Sequence, residues 1–95
     1  MHGFTFDSKA EMNRYLELVI LQKSRMISEL EVQVEFELIP KQKGERSVKY
    51  IADFVYKKDG LTVVEDVKGV KTRDYIIKRK LMLWVHGIKI QEITK

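Results

Sequence analysis

The chain has 95 residues, with 18 Lys and Arg against 14 Asp and Glu, and no cysteine. A chain this short supports one domain with one small core, and the lack of cysteine excludes disulfides and thiolate metal sites. His2, His86 and the carboxylates are too scattered along the chain to form a zinc motif. The opening MHGFTFDSK lacks the basic-then-apolar layout of a signal peptide, and no apolar run approaches a membrane span. A soluble, cytoplasmic protein with no membrane partner is expected. A core this small also favours dimerisation.

The first helix is expected to start at Ser8. Ser8 and Glu11 form a capping-box pattern, and Asp7 adds negative charge near the helix start. Met12, Tyr15, Leu16 and Val19 then recur at helical spacing, carrying the helix to at least Lys23. From Val32 the period changes to two, with Val32, Val34, Phe36 and Leu38 on one face and Gln33, Glu35 and Glu37 on the other, which marks a half-buried strand. Pro40 and the following KQKGERS mark a loop. Residues 47–56 and 61–67 read as two further strands joined by KKDG, where Asp59-Gly60 suits a type I′ hairpin turn. Thr72 is the expected N-cap of a second helix, with Ile77, Leu81 and Trp84 on its core-facing stripe and Ile76 and Leu83 beside it. Gly87 ends that helix, His86 interacts there with its dipole, and GIKIQEI supplies a last strand. The order α-β-β-β-α-β predicts an α/β domain, a mixed α+β sheet in which the second helix is a crossover to a parallel strand.

Charge is unevenly distributed. Lys68, Lys71, Arg73, Lys78, Arg79 and Lys80 lie within thirteen positions that contain one acid, Asp74, whereas Glu29, Glu31, Glu35 and Glu37 crowd a short segment. Basic clustering favours a polyanion such as nucleic acid; an ordinary solvated helix face has the same composition.

The stretch VVEDVKG, Val63 to Gly69, reads as a buried strand yet carries Glu65, Asp66 and Lys68. If Asp59 and Gly60 form the turn, Lys58 pairs with Leu61, and the same register sets Asp53 opposite Asp66. Their Cβ atoms would then be about 4.5–5.5 Å apart. Two carboxylates at that distance repel by roughly 3 kcal/mol at an effective dielectric of about 20. Asp53 shares its face with Ile51 and Val55, and Asp66 shares its face with Val64 and Lys68, while Glu65 points the other way. A divalent cation between Asp53 and Asp66 would remove the repulsion. Mg²⁺ fits, since it favours oxygen ligands and keeps waters for chemistry. Lys68 is then placed to orient or deprotonate a water, or to stabilise a phosphate transition state. The competing reading is a surface Asp66–Lys68 pair with Asp53 capping a loop.

The arrangement IAD (Ile51 to Asp53), a hairpin, then EDVKG (Glu65 to Gly69) resembles the PD-(D/E)XK nuclease superfamily. Asp66-Val67-Lys68 matches its (D/E)XK element, Asp53 its upstream aspartate, and the element order its restriction-endonuclease-like αβββαβ core. SKAE (Ser8 to Glu11), with DVKG and the Lys-rich helix after it, is more narrowly similar to small phage-encoded endonucleases related to Holliday-junction resolvases. The chain departs from the pattern in having Ala52 where the motif has proline, and Asp rather than Glu in the DXK element. The resemblance implies Asp53, Asp66, Glu11 and the Val67 carbonyl as Mg²⁺ ligands, with Mn²⁺ a possible substitute, and Lys68 as the catalytic lysine. For Glu11 the capping box is the other reading. Lys71, Arg73, Lys78 and Arg79 follow the catalytic strand and would contact DNA phosphates. The function implied is hydrolysis of phosphodiesters in branched DNA by a homodimer, in a bacterial host cell if the protein is phage-encoded. The alternatives are a nuclease of other specificity, directed to nicks, flaps or sequences, a non-catalytic DNA-binding module on the same fold, and an interaction protein without a nucleic-acid role.

Overall fold

A computed structural model describes residue 6 and residues 8–94; Asp7 and His2, weighed above, lie outside the described residues. The order is α1 (Lys9–Lys23), β1 (Ser28–Ile39), β2 (Val48–Lys58), β3 (Leu61–Lys68), α2 (Arg73–His86) and β4 (Gln91–Thr94). The fold is mixed α+β, with a four-stranded sheet in the order β1-β2-β3-β4. β1, β2 and β3 are antiparallel, and β4 joins β3 in parallel after the α2 crossover. No described helix is long and apolar enough to cross a membrane.

Local sequence explains the boundaries. Ser8 caps α1 by accepting the Glu11 N–H at 3.1 Å, and Thr72 caps α2 by accepting the Tyr75 N–H at 3.2 Å. Gly87, at φ 68°, ends α2 in the left-handed conformation that costs glycine least. Asp59 and Gly60 sit at φ 52° and 78°, as a type I′ turn requires, and Lys58 pairs with Leu61 as the turn predicts.

The helices cover opposite faces of the sheet. Tyr15 and Leu18 of α1 pack with Phe54, Tyr56 and Val67, whereas Tyr75 and Met82 of α2 pack with Tyr50, Ala52, Val55 and Val64. Along β3, Val63, Glu65 and Val67 therefore face α1, and Val64, Asp66 and Lys68 face α2.

Two expectations are corrected. The buried positions of α2 are Tyr75 and Met82, and Trp84 is 86 % exposed with Ile77 and Leu83 also exposed. Of the expected stripe and its neighbours, Leu81 and Ile76 do pack against the core, but helical spacing alone does not say that Ile77, Leu83 and Trp84 turn away from the sheet. Trp84→Ala should change stability by less than about 0.5 kcal/mol, whereas Met82→Ala should cost about 2–5 kcal/mol in denaturant melts. Secondly, Ile51 is exposed, and it is Tyr50 and Ala52 that join Val55 in the α2-side cluster. Strict alternation fails because both strands exchange faces at one level. Val32 and Phe54 face α1 while their neighbours Val34 and Ala52 face α2. Between those two pairs lie Gln33, at φ 54°, and Asp53. A non-glycine residue in that conformation inside a strand is strained, and it sits at the level of Asp53 in the ladder.

His86 also differs in detail. Its Nε2 lies 2.7 Å from the Glu37 carbonyl oxygen, and its ring meets Phe36 edge-on at 5.6 Å, tying the end of α2 to β1.

Candidate functional site

The β2–β3 ladder runs from Lys58↔Leu61 to Phe54↔Glu65 and stops there. Asp53 and Asp66 are the next residues, so they stand where the two strands part rather than as a closed pair. Asp53 uses the gap, since its Oδ2 accepts the Val67 N–H at 2.7 Å. Asp66 is 3 % exposed. Its Oδ2 accepts the Tyr50 hydroxyl, and its Oδ1 lies 3.3 Å from Lys68 Nζ. Lys68 Nζ is also 4.3 Å from the centroid of the Tyr75 ring. A carboxylate and an aromatic face are both cation partners, so the ammonium is held against the site.

Burial pushes the Asp53 carboxyl up to about 6; the Val67 N–H works against this, and the charges of Asp66 and Glu11 add to it. Glu11, in the first turn of α1, is itself buried. Asp53 and Asp66 are thus brought together from β2 and β3, with Lys68 beside Asp66. Val67 contributes its N–H to Asp53 while its side chain packs on the α1 side.

The folded-state affinity of Asp53 for a proton exceeds that of the unfolded chain, so its contribution is most favourable below about pH 4. It becomes a cost as pH rises through about 6. Asparagine keeps an oxygen for the Val67 N–H and removes the charge. Asp53→Asn should therefore stabilise the fold at pH 7–8, by on the order of 1 kcal/mol after solvent screening. The gain should vanish near pH 4, as thermal melts across that range would show.

Glu65 lies on the opposite face, as alternation in β3 predicts. It is 1 % exposed, receives both Arg14 Nε at 2.8 Å and Arg14 Nη2 at 2.7 Å, and also accepts the Tyr56 hydroxyl. The hydrogen bonds and charge of Glu65 hold the Arg14 guanidinium more firmly protonated, and burial with the Glu65 bond pushes the Tyr56 hydroxyl up to about 12. Its acceptors are consumed by structure.

The basic residues after β3 divide into three kinds. Lys71 and Arg79 both bind Glu92, at 3.1 and 3.0 Å, and the Tyr75 hydroxyl donates to the same carboxylate at 2.7 Å. The Tyr75 bond, followed by Arg79 and Lys71, holds Glu92 down to about 2. Lys78 makes an exposed 3.5 Å pair with Asp74 one turn back. Arg73, at the first turn of α2, makes no ion pair among the described residues.

Several participants escaped sequence reasoning. Tyr50 was hidden because alternation assigns it to the face opposite Asp53, and the face exchange at Gln33 reverses that. Glu92 reaches the site through the Asp66↔Glu92 register of the parallel β3–β4 pair, which no local turn fixes. Lys49 lines a cavity of about 300 Å³ with Tyr50, Asp66, Lys68, Tyr75 and Lys78.

Among the described residues, no group of three or more His, Cys, Asp or Glu side chains stands at metal-ligating spacing. The chemistry of the donor set nonetheless suits a hard cation. Asp53 and Asp66 offer carboxylate oxygens whose mutual repulsion a cation would relieve, and Mg²⁺ commonly takes one or two carboxylates and completes its shell from water and phosphate. No curated protein and no solved structure matches the chain. A family model described as protein of unknown function (DUF1064) matches residues 1–94, and the chain belongs to that family.

Proposed function

We propose that this chain is a Mg²⁺-dependent DNA endonuclease of PD-(D/E)XK type that cuts branched DNA, as its sequence resemblance implies. The observation that carries the reading is the convergence of Asp53, Asp66 and Lys68 at the point where β2 and β3 separate, with the Asp53 carboxyl pushed up to about 6 by burial and neighbouring charge. Carboxyls whose proton affinity is raised by burial and a neighbouring charge cluster at functional sites.

Asp53 and Asp66 would hold the metal, with Glu11 and the Val67 carbonyl as the further ligands that the resemblance implies. Mg²⁺ held there, or Mn²⁺ in its place, would supply Lewis-acid charge and lower the pKa of a bound water. The Tyr50 hydroxyl fixes the orientation of Asp66, and the Val67 N–H fixes that of Asp53. Lys68 is placed to offset negative charge that builds up on a phosphate brought to Asp66. Two cuts across a junction require two sites, so a homodimer goes with this function.

The test is cleavage with Mg²⁺ of a four-way junction, a flap and a linear duplex of the same arms. Preferential, symmetric cutting of the junction supports the reading. Equal cutting of plain duplex would replace it with a nuclease of other specificity, and DNA binding without any cutting in Mg²⁺ or Mn²⁺ would replace it with a binding module.

A further inference from the structure

Beside Asp66, on the α2 face of the sheet, lies a cavity of about 300 Å³ lined by Lys49, Tyr50, Lys68, Thr72, Tyr75 and Lys78, together with Ile51 and Asp74. Its size matches the lower end of small-ligand sites. Three ammonium groups from three elements reach it: Lys49 from β2, Lys68 from β3 and Lys78 from α2. Of the two acids in the lining, Asp66 is already engaged by Tyr50 and Lys68. Asp74 holds Lys78 only through a pair at 3.5 Å in which its own side chain is 80 % exposed. Lys49 is held by Glu35 at 3.6 Å, also on the surface. Exposed pairs of this kind contribute little, so both lysines can exchange a carboxylate for a phosphate at small cost. By contrast, Lys71 and Arg79 are committed to Glu92, whose carboxyl Tyr75, Arg79 and Lys71 together hold well ionised.

We propose that this cavity seats a backbone phosphate of a nucleic-acid strand adjacent to the one at Asp66, with Lys49 and Lys78 as its clamps. The identity of the strand rests on the endonuclease reading; the phosphate chemistry rests on the cavity itself. The assignment adds Lys49 to the DNA-contacting residues and removes Lys71 and Arg79 as primary contacts, giving them instead the task of fixing β4 against α2. Phosphate contacts of this kind position the strand and carry no base specificity.

The experiment uses the full chain in chelator, so that nothing is cut. Titration with inorganic phosphate, thymidine 3′,5′-bisphosphate and a short single-stranded DNA is followed by amide chemical shifts. The proposal expects shifts centred on Lys49, Tyr50, Thr72 and Tyr75, with the oligonucleotide binding more tightly than the bisphosphate. In parallel, the slope of log affinity for a four-way junction against log salt is measured. Lys49→Ala/Lys78→Ala should lower its magnitude by about 2, while Lys41→Ala/Lys43→Ala in the β1–β2 loop leaves it unchanged. Circular dichroism confirms that both variants fold. An unchanged slope in the first variant, or shifts centred elsewhere, overturns the proposal. A bisphosphate that binds as tightly as the oligonucleotide overturns the strand assignment in favour of a free nucleotide. Cleavage by the wild type with Mg²⁺ is read separately: cavity binding without cleavage sinks the endonuclease reading and keeps the cavity, and cleavage with an unchanged slope does the reverse.

Discussion

Asp66→Asn is expected to abolish Mg²⁺-dependent cleavage by about 10³-fold or more, which corresponds to roughly 4 kcal/mol of barrier. The substitution keeps an oxygen for the Tyr50 hydroxyl or for Lys68 and removes the charge that a metal ligand needs. Fold and junction binding in chelator should therefore survive, and the loss should appear in kcat rather than in affinity. Lys68→Ala should act in the same direction by about 10²–10³-fold, the scale of removing one group that stabilises transition-state charge. Glu65→Gln, one residue away but on the other face, should leave cleavage of the folded protein intact. Equal losses for Asp66→Asn and Glu65→Gln would mean that neither is measuring a site.

Arg14→Ala is expected to be among the most damaging single changes to stability. Arg14 supplies two of the three hydrogen bonds that compensate Glu65, whose side chain is almost fully enclosed. Removing one partner of a buried pair leaves an uncompensated charge and costs about 3–5 kcal/mol. Arg14 is partly open to water, which places the expectation near the lower figure. For a domain of this size that is a fall in Tm of about 15 °C or more. The double variant Arg14→Met/Glu65→Leu should recover much of the loss, because a packed apolar pair replaces the ion pair without leaving a buried charge. A loss under about 1 kcal/mol for Arg14→Ala would show that water already reaches Glu65.

The expected α-β-β-β-α-β order matches the observed elements because each boundary has a local cause in the chain: Ser8 and Thr72 as caps, Asp59-Gly60 as a turn of fixed register, and Gly87 as a stop. The separation of Asp66 from Glu65 was legible for the same reason, since the Lys58↔Leu61 pairing propagates along β3. The register does not extend past Phe54↔Glu65, where the ladder ends. Both strands exchange faces at the level of the left-handed Gln33, and nothing in a Val-Gln-Val sequence announces it. Strict alternation therefore sets Tyr50 on the face opposite Asp53 and Ile51 among the buried residues, the reverse of their places in the fold. In α2, two apolar stripes compete, and the winner is decided by Tyr75, which fills the α2-side core and also hydrogen-bonds Glu92 across the crossover. The contact between Glu92 and the basic residues depends on parallel register, a long-range property that local sequence does not encode.

The pairing of Asp53 with Asp66 as one metal site is tested most directly by adding Mn²⁺ to the protein and recording amide signals. Paramagnetic broadening should centre on Asp53, Asp66 and Val67, be competed by Mg²⁺, and disappear in Asp53→Asn. Broadening centred elsewhere, or none at concentrations that support cleavage, would contradict it.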